Sequence, residues 1–121
     1  PEVLARISDI VAHYGLRVAN IFHAGDGNLH PLILFDANDP QQSINAEEAG
    51  AEILKLCVEV GGCLTGEHGV GIEKRDLMRV QFSQNDLDIQ MRIKASLDPH
   101  WLLNPGKVFP LATDDDREAA A

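Results

Sequence analysis

Two short runs of the chain combine residue types that bind metal ions and transfer protons. The first is HAGDGNLH, from His23 to His30, and the second is GEHGVG, from Gly66 to Gly71. Neutral imidazole suits zinc, iron, copper or nickel, and a carboxylate such as Glu67 can complete the ligand set. Three protein ligands leave one coordination position open, which is typical of a catalytic metal. The two runs therefore predict a metal centre in which His23, His30 and Glu67 converge.

A tight hairpin is expected to bring the two histidines together. Residues 17–22 and 32–35 are rich in strand-forming side chains, and Asp26-Gly27 between them is typical of a two-residue turn. This turn predicts that His23 lies directly opposite His30, with Cβ atoms roughly 4.5–5.5 Å apart on one face of the hairpin. Two imidazoles at that distance can bind one ion.

Each run also has an alternative explanation. The two histidines could be ordinary polar residues at the end of a hairpin. The glycines of the second run could form a phosphate-binding loop before a helix that begins near Ile72. Glu67 argues against this loop because a carboxylate repels a phosphate. Glu67 and His68 are neighbours, and neighbours in an extended backbone point in opposite directions, so we expect one metal ligand and one base.

Helices are expected to frame both runs. Apolar residues at helical spacing predict helices over 3–14 and 41–60, with glycines just past their ends. A third helix is expected over 72–78, and Ser83 with Asp86 resembles a capping box for a last helix. The apolar positions of this last helix are Leu87, Met91, Ile93 and Leu97. These elements predict an α+β fold, in which a small antiparallel sheet with a hairpin has helices packed on one face.

Composition and charge disfavour several classes of function. The 121 residues are expected to form one domain at most, and a formal net charge of −9 disfavours nucleic acid as a partner. No apolar run approaches the roughly 18 residues of a membrane span, and no signal peptide is visible. Cys57 and Cys63 are too few for a disulfide framework, and their expected structural roles fit a reducing cytoplasm. Because the chain begins with Pro1, we expect it to be a fragment of a longer protein.

Three segments, in this order, resemble the C-terminal part of FAD-linked oxidases of the vanillyl-alcohol oxidase superfamily. They are HAGDGNLHP, GEHGVGIEKRDLM and the closing LNPGKVFP. The resemblance runs from about Leu4 to Pro110 and points to the group of glycolate oxidase flavin subunits and D-lactate and D-2-hydroxyglutarate dehydrogenases. It implies that residues 1–110 are the C-terminal portion of such an enzyme and that the fold is a remnant of a ferredoxin-like cap.

The resemblance also implies a reaction, namely FAD-dependent oxidation of a small 2-hydroxy acid to the 2-oxo acid. On the family pattern His23, His30 and Glu67 match the ligands of a divalent metal, which is expected to be Zn or Fe/Mn. His68 matches the base. Asn104 and Lys107 match a segment that lies near the flavin. FAD takes the hydride, because no protein side chain can do so.

One departure from the family pattern bears on the substrate. Relatives that act on 2-hydroxyglutarate carry an Asn two residues after the second metal histidine, where this chain has Leu32. The difference favours glycolate or D-lactate as the substrate. Nearly all of the FAD-binding domain is expected upstream of this chain, so the chain alone is expected to be inactive.

The expected partners are a 2-hydroxy acid, other oxidase subunits and a second copy of the chain. An exposed strand edge favours self-association into at least a dimer. The acidic residues 111–121 are expected to form a disordered tail, and the expected location is cytoplasmic. The competing hypotheses are a free-standing metal-binding module and a purely dimerising domain, both without redox activity.

Overall fold

The computed structural model describes residues 1–111 of the chain. Its elements are α1 (Glu2–His13), β1 (Arg17–His23), β2 (Asn28–Leu34), α2 (Pro40–Glu59), a 3-10 helix (Arg75–Leu77), α3 (Met78–Gln81) and α4 (Gln84–Leu97). The α+β fold class predicted from the sequence is confirmed. The described residues divide into two compact units, which are residues 1–66 and residues 67–111. The acidic tail was predicted over residues 111–121, and all of it except residue 111 lies outside the described residues.

The first unit contains a helical core on one face of a hairpin. Helices α1 and α2 pack against each other, and both contact the sheet formed by β1 and β2. Apolar side chains at helical spacing supply the core because they share one face of each helix. The buried core residues are Ile7, Val11, Leu16, Ala46, Ala49, Ile53 and Leu56, with Val18, Leu29 and Ile33 of the sheet packed against them.

Local sequence signals determine where α1 ends and where α2 begins. Helix α1 stops before Gly15, whose φ of 70° places it in the left-handed region that glycine tolerates. Helix α2 begins after Asp39, whose carboxylate accepts hydrogen bonds from the backbone N–H groups of Gln41 and Gln42. The predicted ranges 3–14 and 41–60 therefore agree with the structure to within one residue at each end.

The predicted register of the hairpin is wrong. His23 pairs with Asn28, and Ile21 pairs with His30, so residues 24–27 form a four-residue loop in place of a two-residue turn. The carbonyl oxygen of His23 accepts hydrogen bonds from the N–H groups of Asp26 and Gly27, each at 3.1 Å. A two-residue turn of the type that Asp-Gly favours needs positive φ at both central residues, and here Gly27 has it (68°) but Asp26 does not.

The second unit contains the shorter helices. Ser83 caps α4 with the predicted capping box, because its hydroxyl accepts the N–H of Asp86 and the Asp86 carboxylate accepts the N–H of Ser83. The helix predicted over 72–78 begins later, as the 3-10 turn at Arg75–Leu77 that continues into α3. Two apolar positions predicted for α4 are also corrected. Leu87 is buried, whereas Ile93 and Leu97 are 60% and 83% exposed.

Asp98, the residue after α4, holds the chain that follows the helix. Its buried carboxylate accepts hydrogen bonds from Lys94 Nζ at 2.8 Å and from the N–H groups of Leu102 and Leu103 at 3.0 Å each. Lys94 Nζ also donates a hydrogen bond to the carbonyl oxygen of Leu103 at 2.9 Å, so this side chain joins Asp98 to the segment after the helix.

We expect acid to destabilise the second unit through two aspartates. The hydrogen bond from the Ser83 hydroxyl lowers the pKa of Asp86, and the hydrogen bond from Lys94 lowers the pKa of Asp98. Because both folded pKa values lie below the ordinary 3.8, the stabilisation is complete above that pH and is lost as the pH falls through the lowered values. The thermal unfolding midpoint, measured from neutral pH downwards, should show this loss. An Asp86→Asn/Asp98→Asn variant with the same acid dependence as wild type would contradict the assignment.

Several apolar side chains of the first unit remain uncovered. Ile21, Leu32 and Leu34 are 59%, 46% and 48% exposed on the hairpin. Within residues 1–111 the outer edges of β1 and β2 have no further strand beside them. Self-association of the chain stays a prediction that these features support. None of the helices within those residues is long and apolar enough to span a membrane.

Candidate metal centre

The two histidines of the first run lie on the face of the hairpin that turns away from the helical core. Side chains alternate between the two faces of a strand. Val18 and its partner Ile33 pack against the core, so the odd-numbered residues of β1 and their partners occupy the opposite face. His23 lies on that face, and so does His30, the partner of Ile21.

The corrected register makes the two histidines diagonal neighbours. Diagonal residues of an antiparallel pair are farther apart than directly opposed ones, but long side chains still reach across. The ring centroids of His23 and His30 are 5.4 Å apart, and the ring planes meet at 79°. The imidazoles therefore converge although their backbones are not directly paired.

Glu67 completes the predicted group. One nitrogen of each imidazole and one carboxylate oxygen of Glu67 all lie within 4.8 Å of one another. His23 and Glu67 are exposed, and His30 is partly buried, with its Nε2 atom shielded from solvent. The structure thus brings together the three residues that the sequence singled out, from two runs separated by more than thirty residues.

This group fits a divalent metal by its donor set and its spacing. Two imidazoles with one carboxylate form a ligand set known for catalytic zinc and for iron(II). Ligand atoms about 2.0–2.1 Å from a tetrahedral zinc are about 3.4 Å apart. The observed separations of up to 4.8 Å exceed this value by little more than an ångström. The exposed side chains of His23 and Glu67 would have to approach by up to about 1.4 Å to bind one zinc ion.

The other predicted site residues lie in the second unit. His68 is exposed and is not a member of the ligand group. Asn104 and Lys107 are exposed on a turn, and Lys107 Nζ donates a hydrogen bond to Asn104 Oδ1 at 3.3 Å. An ammonium and an amide are donors that suit the oxygen atoms of a flavin. The roles of His68, Asn104 and Lys107 remain predictions.

Sequence reasoning missed the residue that holds this turn. Arg75 Nη1 donates a hydrogen bond to the carbonyl oxygen of Gly106 at 2.7 Å. The N–H of Val108 donates to the carbonyl oxygen of Gly71 at 2.8 Å. These bonds fasten a segment in which Asn104 and Val108 have positive φ, which is uncommon for residues other than glycine. No local signal could have revealed them, because each joins residues more than thirty positions apart.

The chain belongs to the family of FAD linked oxidases, C-terminal domain, whose family model matches residues 1–108. It is similar to glycolate oxidase subunit GlcD of Escherichia coli (strain K12), with 56% identity over 110 residues, 91% of this chain and 22% of that protein. The protein of the same name from Bacillus subtilis (strain 168) is 41% identical over 108 residues, 89% of this chain and 23% of the relative.

A second group of relatives has a related name. D-lactate dehydrogenase (cytochrome), mitochondrial, of Kluyveromyces lactis is 36% identical over 101 residues, which are 84% of this chain and 17% of that protein. The chain therefore spans about a fifth of the length of the curated relatives it matches. The family resemblance inferred from the three sequence segments is confirmed.

Proposed function

We propose that the chain is the C-terminal part of an FAD-dependent oxidoreductase that converts a small 2-hydroxy acid to the 2-oxo acid. The observation that carries the proposal is the convergence of His23, His30 and Glu67 within 4.8 Å. The family membership of residues 1–108 supports FAD as the cofactor, and the names of the relatives support glycolate or D-lactate as the substrate.

His23, His30 and Glu67 are the residues that hold the divalent metal in this proposal. A bound metal supplies Lewis-acid polarisation of the hydroxyl and carboxylate oxygens of the substrate. The exposed sides of His23 and Glu67 leave the group open to a small anion from solvent. The three ligands would thus orient the substrate, because the metal that they hold would determine where the substrate oxygen atoms bind.

His68 is the proposed base. Neutral imidazole accepts a proton near neutral pH, and His68 directly follows a metal ligand in the chain. The oxidation removes a proton from the substrate hydroxyl, which His68 accepts. The carbon that bears this hydroxyl loses a hydride, for which FAD would be the acceptor. Asn104 and Lys107 are proposed to bind that cofactor through their exposed amide and ammonium groups.

Leu32 supports a small substrate without a second carboxylate. It lies two residues beyond His30 on β2 and therefore shares its face of the hairpin. Its side chain is 46% exposed there. An apolar side chain beside the ligand group offers no hydrogen bond to a second carboxylate, so glycolate or D-lactate fits better than a dicarboxylate.

Metal analysis of the chain tests the proposal. The purified chain, loaded with zinc or manganese and dialysed, is expected to retain about one equivalent of metal, because one set of three ligands binds one ion. Mass spectrometry of the metal content and competition with a coloured chelator measure stoichiometry and affinity. Metal content at the level of a dialysed control protein would reject the centre.

A further inference from the structure

The segment that connects α2 to Glu67 is anchored at its start. Gly61 has φ 87°, and its N–H donates to the carbonyl oxygen of Val58 at 3.0 Å. The N–H of Gly62 donates to the carbonyl oxygen of Cys57 at 2.8 Å. This pair of bonds is the Schellman arrangement, which reverses the chain after a helix. Leu64 is then 2% exposed, so the segment is also held by a buried side chain.

The end of the segment is held by Asn28. A Cβ atom added to Gly66 would lie 2.7 Å from Oδ1 and 3.0 Å from Cγ of Asn28. The backbone of Gly66 therefore packs directly against the amide of Asn28, and a Cβ atom at this position would require that amide to move. Gly66 does not have positive φ, so this contact, and not backbone conformation, is the reason for glycine at this position.

Asn28 has a structural link to each of the three proposed ligands. It is the strand partner of His23, and it precedes His30 by two residues on the same face of β2. Its amide packs on Gly66, the residue directly before Glu67. We infer that Asn28 is the positioning residue of the metal centre and that a side chain at Gly66, by displacing the Asn28 amide, would move Glu67 away from the two histidines.

This inference rests on the proposed function, in which His23, His30 and Glu67 bind a metal. It goes further because it assigns the geometry of the centre to a contact between two residues that do not bind metal. Residues that orient ligands typically contribute 10–100-fold in metal affinity. A similar contribution is expected from Asn28 and Gly66.

Gly66→Ala in the full chain is the test, with Gly25→Ala as the matched control. A Cβ at Gly25 meets no atom within 4 Å, and Gly25 does not have positive φ, so its replacement should change little. We expect Gly66→Ala to weaken zinc binding about 10–100-fold and Gly25→Ala to weaken it less than about twofold, measured by chelator competition. Circular dichroism of both variants checks that the chain is folded.

A second variant separates positioning from general damage. Asn28→Ala removes the atoms that a Cβ at Gly66 would meet, so in that background Gly66→Ala should cause less than about twofold further loss of affinity. The visible absorption of the cobalt(II)-loaded chain reports the ligand set. It should change in Gly66→Ala and stay as in wild type in Gly25→Ala.

The two proposals fail in different ways. A wild-type chain that binds neither zinc nor cobalt rejects the metal centre and, with it, the positioning role. A wild-type chain that binds zinc, together with Gly66→Ala of unchanged affinity and unchanged cobalt spectrum, rejects the positioning role and leaves the metal centre intact. Equal losses of affinity from Gly66→Ala with and without Asn28→Ala would also reject the role of Asn28.

Discussion

Alanine at His23, His30 or Glu67 is expected to remove stoichiometric metal binding from the chain. Each substitution deletes one of three protein ligands, and the remaining two cannot exclude water from the ion or fix its geometry. We expect the zinc affinity to fall by more than about 100-fold, since the loss of a residue that only orients a ligand costs about 10–100-fold. Metal content after dialysis and chelator competition measure the effect.

Matched variants control for the loss of an imidazole or a carboxylate as such. His13→Ala removes an exposed histidine of α1, and Glu47→Ala removes an exposed glutamate of α2. Neither residue belongs to the ligand group, so both variants should bind zinc as wild type does. If His13→Ala lost as much zinc as His30→Ala, binding would be nonspecific. If Glu67→Ala alone kept full affinity, the centre would consist of the two histidines without the carboxylate.

The convergence of the histidines could be predicted even though the register could not. The predicted pairing placed His23 opposite His30, whereas the structure places His23 opposite Asn28. The difference is two residues along one strand. Because side chains alternate with a period of two, an even shift keeps every residue on its original face, and an odd shift would have separated the histidines. The prediction that the two histidines share a face therefore required only that the register error be an even number of residues, and did not require the correct turn.

Local signals explain which other predictions succeeded. Gly15 marks the end of α1, Asp39 caps the start of α2, and Ser83 caps the start of α4. In each case the signal and its structural effect lie within a few residues of each other. The same patterning failed for Ile93 and Leu97, since spacing along a helix shows which residues share a face but not whether another element covers that face.

The contacts that shape the candidate site could not be read from the sequence. Asn28 meets Gly66, and Arg75 meets the carbonyl oxygen of Gly106, across separations of more than thirty residues. Such contacts involve loops, which have no periodicity to indicate their partners. The glycine before Glu67 was visible in the sequence, but its reason for being glycine is the amide that packs on it.

The position of the ligands on the hairpin suits a catalytic role more than a structural one. A structural metal usually lies among four protein ligands that close the site. Here the two candidate histidines lie on the face of the hairpin that turns away from the helical core, and His23 and Glu67 are exposed. Exposed ligands leave room for a substrate to bind beside them.

Replacement of His68 by alanine is expected to slow flavin reduction while leaving the metal in place. His68 is not a member of the ligand group, so the three ligands remain intact in this variant. Loss of a general base typically slows a reaction about 10²–10⁴-fold. The measurement is stopped-flow reduction of FAD by glycolate or D-lactate in the proposed full-length oxidase, with metal content determined on the same sample.

Chemical rescue distinguishes a base from a residue that only supports the loop. Free imidazole can enter the space left by the side chain of a His68→Ala variant and accept the proton in its place. We therefore expect added imidazole to restore part of the rate in this variant, and not in His23→Ala, which lacks a ligand. His100→Ala, which removes another exposed histidine of the second unit, should reduce FAD at the wild-type rate. Loss of metal from His68→Ala would make His68 a ligand, and an unchanged rate of flavin reduction would exclude it as the base.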